Sequence, residues 1–198
     1  MADKLVSGPM QPEYALVVHK LTKSFGPYRG VNHVSFTLKR GQCLGIIGVT
    51  GSGKTKLMQL LTDSSECSAY ASNIGYCPES FCLPGYLTGH EIIELLCVLR
   101  GFRLDDTAAM TKNLLHVMEL SKVANVRKLC IAVALAELPS VILLDEPSTG
   151  VDVAARAQIR RSLSIIRQMT DCAILLTSNR LEHLTVLFLT YWSALQGT

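Results

Sequence analysis

The stretch Gly48-Val49-Thr50-Gly51-Ser52-Gly53-Lys54-Thr55 decides the fold, because it has the pattern G-x-x-x-x-G-K-[ST]. The apolar run before it, residues 43–47, predicts a buried strand, and residues 56–61 after it predict a helix. In this strand–loop–helix context, backbone N–H groups and the helix N-terminus surround an anion. We therefore expect all eight residues to bind nucleotide phosphates, and we expect Gly48, Gly51 and Gly53 to adopt positive φ angles.

Two side chains of this loop are candidates for the chemistry. Lys54 is expected to reach the β- and γ-phosphates of a nucleotide, as a binding and a catalytic residue. The hydroxyl of Thr55 is expected to bind Mg²⁺.

A second motif lies downstream, where the aliphatic run 141–144 is followed by Asp145 and Glu146. The run predicts a fully buried strand, so both carboxylates should lie at the carboxyl edge of the sheet, where α/β proteins bind ligands. Asp145 is expected to help hold Mg²⁺, and Glu146 is the candidate general base for attack by water on the γ-phosphate.

Composition limits the class of protein. The 198 residues suit one α/β domain, and a net charge of +3 gives no argument for a nucleic-acid partner. No apolar run approaches the ~18–20 residues of a membrane span, and no secretory signal is recognisable. The seven cysteines favour reduced, buried thiols, and the spacing of Cys67, Cys77 and Cys82 supports no specific metal site.

The rest of the chain fits one domain, 13–198, after a flexible tail at 1–12. Residues 15–19 predict a strand, and the alternation of residues 34–39 predicts a half-buried antiparallel strand. Thr88 and Glu91 form the pattern of a capping box for a helix to about residue 100. Further helices are expected from about residue 105 and at 127–137, 153–169 and 181–192, with a strand at 173–177.

The acidic motif continues as Pro147-Ser148-Thr149-Gly150 and Asp152, and the whole resembles the second nucleotide motif and D-loop of ATP-binding cassette (ABC) transporters. Residues 41–45, 74–78 and 127–129 are similar to the A subfamily, whose members move lipids. The resemblance covers about residues 14–185. It implies an α/β P-loop NTPase fold: a RecA-like core with a mixed sheet, an N-terminal antiparallel β layer, and a reduced helical subdomain at about 80–137.

The resemblance also implies a function. The chain would bind ATP and Mg²⁺ and drive transmembrane transport, with lipid as the cargo. Its partners would be transmembrane domains and a second nucleotide-binding domain, on the cytoplasmic face of a membrane. Phe25 matches the position of the aromatic residue that stacks on the base, and Tyr28 is the alternative.

Three positions depart from the family pattern. The Leu-Ser-Gly-Gly-Gln-like signature is missing between Leu120 and Arg127, where no glycine occurs. Glu79 stands where a glutamine is expected to contact the nucleotide, and Asn179 stands where a histidine is expected. His183 lies one turn further on and is a poor substitute.

These departures leave three hypotheses open. The chain could bind ATP with weakened or lost hydrolysis, because donors to the γ-phosphate are absent. It could remain an ATPase if a partner domain supplies the signature. It could also be a non-catalytic regulatory or truncated product. A GTPase is disfavoured, because no Asn-Lys-x-Asp base-reading motif is present.

Overall fold

The computed structural model describes residues 13–25, 28–63, 69–70, 73–80, 83–120, 125–136, 138–180 and 190–193. The elements in these ranges are β1 Tyr14–Phe25, β2 Tyr28–Lys39, β3 Cys43–Ile47, α1 Lys54–Thr62, β4 Ala69–Tyr70, β5 Ile74–Cys77, α2 Gly89–Leu99, α3 Leu104–Val117, α4 Val126–Leu135, β6 Val141–Leu144, α5 Val153–Thr170, β7 Ala173–Ser178 and β8 Thr190–Ser193. Among them, no helix is both long and apolar enough to cross a membrane.

The described strands form two sheets. The core sheet has five strands in the order β5-β6-β7-β3-β8, and its described pairs are all parallel. The second sheet has three strands in the order β2-β1-β4, with antiparallel pairing. The predicted α/β fold with an antiparallel β layer is confirmed, and the antiparallel pairs lie in that layer and not in the described core sheet.

Helices cover both faces of the core sheet, so its strands are apolar on both sides. Leu143 of β6 and Leu175 of β7 pack in one hydrophobic cluster with Met58 of α1. Their neighbours Leu144 and Leu176 pack in the other cluster, with residues of α2, α4 and α5. The residues that follow Leu144 and Leu176 therefore lie at the same edge of the sheet, close to the start of α1.

The helices α2 and α4 begin at capping residues, and the capping box predicted for α2 is present. Thr88 accepts a hydrogen bond from the Glu91 N–H while the Glu91 side chain accepts from the Thr88 N–H, which completes the capping box of α2. Gly101 follows α2 with a φ of 89°, as a helix-terminating glycine does. Asn125 caps α4 by accepting from the Lys128 N–H.

The sequence predictions fail where the extent of a strand depends on its pairing partner. β1 runs past residue 19 to Phe25, because β2 pairs with it along its length. The short strand β4 in the polar segment was missed, although it pairs with β1. The helix predicted at 181–192 is wrong for residues 190–192, which belong to β8 beside β3. Thr190, Tyr191 and Trp192 are strand-favouring residue types, and β3 offers them an open edge.

The described cysteines agree with the expectation of reduced thiols. Cys43, Cys77, Cys97, Cys130 and Cys172 are all buried and free. Burial raises the pKa of Cys77 to about 12 and that of Cys172 to about 11, so these thiols stay protonated and unreactive. Cys67 and Cys82, named above for a metal site, lie outside the described residues.

A close contact between β5 and α4 gives a test of the fold. A Cβ at Gly75 would lie 2.1 Å from the Ala134 carbonyl oxygen and 3.0 Å from Pro139 Cγ. Because the first contact is with backbone, Gly75→Ala is expected to lower the free energy of unfolding by about 1–3 kcal/mol, as overpacking does. Urea denaturation measures the loss.

Gly85→Ala is the matched control, because a Cβ there would have no atom of a distant residue within 4 Å. We expect its denaturation midpoint to match the wild type. Equal midpoints for Gly75→Ala and Gly85→Ala would contradict the packing of β5 against α4.

Candidate functional site

The loop between β3 and α1 has the conformation that its glycines allow. Gly51 and Gly53 adopt φ angles of 84° and 89°. Gly53 is the N-cap of α1, and no side chain caps this helix. A Cβ at Gly53 would also lie 2.5 Å from the Gly30 carbonyl oxygen of β2. The first N–H groups of α1 are therefore left for a ligand.

The expectation of a positive φ is wrong for Gly48, which is not among the residues with positive φ. Its N–H donates to the Ser178 carbonyl oxygen at 3.3 Å. Gly48 therefore continues the pairing of β3 with β7, and the loop turns only after it.

The ammonium of Lys54 folds back over the loop. Its Nζ donates to the carbonyl oxygens of Gly48 at 2.7 Å and Val49 at 3.1 Å. It also lies 3.6 Å from Glu146 Oε1, and both side chains are only 7% exposed. The loop and the acidic motif thus hold a nearly buried positive charge at the centre of the site.

Asp145 is fully buried at the end of β6. Its Oδ1 accepts a hydrogen bond from Thr177 Oγ1 at 2.6 Å. Its Oδ2 is buried and has no hydrogen-bond partner among the described residues. Because leaving a buried carboxylate oxygen unpaired is costly, Oδ2 is a position for a cation. Oδ2 and the Thr55 hydroxyl at the start of α1 are both oxygen donors of the kind that Mg²⁺ prefers, so both residues stay candidates for holding it.

Tyr76 adds a neutral hydroxyl beside this acid. Burial raises the pKa of Tyr76 to about 12, and the charge of Asp145 adds to the rise. The hydroxyl therefore stays protonated near neutral pH and adds no second negative charge next to Asp145.

Glu146 follows with a backbone that the sequence did not predict. Its φ is 47°, in the left-handed region that costs a residue with a Cβ about 1–2 kcal/mol. Its N–H donates to Thr177 Oγ1 at 2.9 Å, and its Oε2 accepts from Thr149 Oγ1 at 3.1 Å. Three contacts, with Thr177, Thr149 and Lys54, thus oppose the strain and fix where the carboxylate lies.

These elements surround a cavity of about 210 Å³. Its lining consists of Thr50, Gly51, Gly53, Lys54, Thr55, Lys56, Glu79, Glu146 and Asn179. All but Lys56 are predicted site residues, so the structure brings the phosphate loop, the candidate base and two of the departures from the family pattern together.

The other predicted residues do not line this cavity, and for some of them the side chain or the whole residue lies outside the part of the chain that the structure describes. Gly48 and Val49 act through their carbonyl oxygens, and the buried Ser52 Oγ has no hydrogen-bond partner among the described residues. The backbone of Phe25 ends β1, but its side chain and that of Tyr28 are not described, so base stacking stays a prediction. His183 lies outside the described residues.

Sequence reasoning missed Lys56, Thr149 and Thr177. Thr177 could have been found, because it is the first polar residue after four apolar residues of β7, a strand that pairs with β6 and ends beside the acidic motif. Thr149 follows Glu146 by three residues, a spacing at which a turn brings a hydroxyl back to a carboxylate. Nothing in the local pattern marked Lys56.

The segment that carries Glu79 is tied to α4. Arg127 Nη1 donates to the Pro78 carbonyl oxygen at 3.1 Å. Residues 121–124, which precede the α4 cap, lie outside the described residues, so the structure does not test the missing signature.

Comparisons with known proteins identify the family of the chain. The family model described as ABC transporter matches residues 31–149, more than half of the chain. The chain is 30% identical over 188 residues to the ABC transporter ced-7 of Caenorhabditis elegans, covering 85% of this chain and 11% of that protein. It is 32% identical over 210 residues to the human phospholipid-transporting ATPase ABCA7, covering 91% of this chain and 10% of that protein.

A solved structure has the same fold. The dimeric bacterial ABC transporter cassette MJ0796 superposes with a TM-score of 0.78 at 18% identity, covering 90% of this chain and 94% of that one. The chain covers 94% of the MJ0796 cassette but only about a tenth of the length of the curated relatives ced-7 and ABCA7. The phosphate loop, the acidic motif, the fold and the family match lead to one conclusion: the chain belongs to the ABC transporter family, and its relatives include members of the A subfamily.

Proposed function

We propose that this chain binds MgATP in the cavity between α1 and the acidic motif, as the nucleotide-binding domain of a lipid transporter. One observation carries the proposal: Lys54, Thr55 and Glu146 line the same cavity. The two sequence motifs that predict nucleotide chemistry are separated by about 90 residues, and the fold brings them together.

Each part of the site has a role in this proposal. The N–H groups of the loop and the ammonium of Lys54 bind the phosphate oxygens and balance their charge. Thr55 and Asp145 would hold Mg²⁺, which supplies further charge neutralisation at the phosphates when it is bound. Glu146 orients a water molecule and accepts its proton, because its carboxylate is fixed in the cavity by Thr149 and Lys54.

The relatives suggest the cargo and the partners. ABCA7 is named a phospholipid-transporting ATPase, and the MJ0796 cassette is a dimer. We therefore propose lipid as the cargo, and transmembrane domains and a second nucleotide-binding domain as the partners. The chain would then lie at the cytoplasmic face of a membrane, and residues 13–198 would act as one domain.

We propose that the departures from the family pattern lower the rate of ATP hydrolysis more than they lower the affinity for ATP. Glu79 replaces an expected amide donor and adds negative charge to the cavity, and Asn179 replaces a side chain that can carry positive charge. Removing one donor aimed at a developing charge costs roughly 10²–10³ in kcat. The alternative is a regulatory or truncated product that binds ATP without turnover.

Thermal melting tests the binding proposal. ATP with Mg²⁺ at 100 times its Kd adds about 2.7 kcal/mol to the stability of the folded state. For a domain of this size we expect the midpoint to rise by roughly 5–10 °C. AMP, which lacks the β- and γ-phosphates, is the matched control and is expected to give a much smaller rise. A broad transition, or equal midpoints with and without ATP, would contradict the proposal.

A further inference from the structure

Thr177 lies where the two acids of the site meet the neighbouring strand. In the parallel pairing of β6 with β7, Leu144 is opposite Leu176, so Asp145 and Thr177 are the next residues on each strand. Thr177 and Asp145 are both fully buried. The hydroxyl therefore lies in the protein interior, and Thr177 is not among the residues that line the cavity.

Both hydrogen-bonding roles of this hydroxyl are used. Oγ1 donates to Asp145 Oδ1 at 2.6 Å and accepts from the Glu146 N–H at 2.9 Å. A hydroxyl has one proton to donate, so the acceptor role toward Glu146 leaves that proton for Asp145. One side chain thus connects the proposed metal ligand with the backbone of the proposed general base.

The two bonds have different consequences. The bond to Oδ1 fixes the rotation of the Asp145 carboxylate and leaves Oδ2 as the buried oxygen without a partner among the described residues. The bond from the Glu146 N–H holds a residue whose φ of 47° is unfavourable for a side chain with a Cβ. That backbone turn directs the Glu146 carboxylate toward Lys54 and Thr149.

We infer that Thr177 is a positioning residue that sets the orientation of both acids through its hydroxyl. The inference rests on the proposed function, since it assigns Asp145 to the metal and Glu146 to the water. Burial of a threonine alone does not imply such a role. Thr111 of α3 is also fully buried, yet its hydroxyl has no hydrogen-bond partner among the described residues.

This contrast gives a matched set of variants. Thr177→Val keeps the shape and removes the hydroxyl, Thr177→Ser keeps the hydroxyl, and Thr111→Val makes the same change at a hydroxyl without a partner. Should Thr177→Val not fold, Thr177→Ala removes the same hydroxyl without adding a methyl group. We expect the same results from Thr177→Ala in both measurements.

The first measurement needs no nucleotide. Crystal structures of the wild type, Thr177→Val and Thr111→Val are compared without ATP. We expect the φ of Glu146 to leave the left-handed region in Thr177→Val and its contact with Lys54 to be lost, while Thr111→Val keeps both. An unchanged Glu146 in Thr177→Val would overturn the inference.

The second measurement is the affinity for ATP with Mg²⁺ and with EDTA, by calorimetry on the full chain. The ratio of the two affinities is expected to fall about tenfold in Thr177→Val, since a hydrogen bond to a charged group is lost. It is expected to stay within about twofold of the wild type in Thr177→Ser and Thr111→Val.

A residue with a merely structural role would lower stability and leave this ratio unchanged, so an unchanged ratio in Thr177→Val overturns the inference. If the wild type binds ATP in neither condition, the proposed function fails, and the crystal structures still decide whether Thr177 positions Glu146.

Discussion

Replacing Lys54 with alanine is expected to lower the affinity for MgATP at least 100-fold. The ammonium is held in the cavity by the carbonyl oxygens of Gly48 and Val49, and its aliphatic stem is buried. A hydrogen bond to a charged group contributes about 1.5–3 kcal/mol, and an ammonium that contacts two phosphate groups makes at least two. The loss therefore corresponds to a factor of about 100 or more in Kd.

Calorimetric titration measures this affinity, and Lys112→Ala is the control. Lys112 is an exposed lysine of α3, outside the cavity, so the same loss of charge there should leave Kd within about twofold. Lys54→Met keeps most of the buried stem and separates the charge from the packing. Equal affinities for the wild type and Lys54→Met would mean that the cavity does not bind nucleotide phosphates.

The features that the sequence predicted well are those whose physical cause is local. The phosphate loop depends on Gly51 and Gly53, whose positive φ angles need no distant contact. The start of α2 depends on the reciprocal bonds of Thr88 and Glu91, three residues apart. Such signals can be recognised in one stretch of sequence, so the elements that carry them were predicted with nearly correct boundaries.

The features that were missed depend on contacts between distant segments. β4 and β8 form because β1 and β3 have edges free for pairing. The residues of β4 and β8 themselves do not indicate that these edges are available. The turn at Glu146 depends on Thr177, which is 31 residues away. Local propensity disfavours a left-handed glutamate, so only tertiary hydrogen bonds explain it.

The site that we propose for ATP combines a phosphate loop and an acidic motif with two cavity residues that depart from the family pattern. Lys54, Thr55 and Glu146 line one cavity, and Asp145 is buried next to Glu146 in the chain. Glu79 and Asn179 line the same cavity and differ from the family pattern in charge. Because we propose that the first set binds ATP and that the second affects its hydrolysis, binding and turnover must be measured separately.

Glu146→Gln is expected to lower the rate of ATP hydrolysis by about 10²–10⁴-fold, the usual contribution of general acid–base catalysis. The amide keeps the size of the side chain and its bond from Thr149, but it cannot accept a proton from water at neutral pH. ATP affinity should change little, since phosphate binding depends on the loop and Lys54. The assay measures phosphate release by the chain alone and mixed with an ABC cassette that carries an intact signature.

The mixed assay decides between the hypotheses on hydrolysis, because the signature missing here would disable only the site of the partner. Glu94→Gln is the control: Glu94 lies on α2, outside the cavity, where it pairs with His90, so its loss should leave the rate unchanged.

A rate in the mixture that depends on Glu146 and not on Glu94 means that this chain hydrolyses ATP. Binding of ATP without a rate above background in either assay means that the chain retains ATP without turnover. Equal rates for the wild type and Glu146→Gln would mean that Glu146 is not the general base.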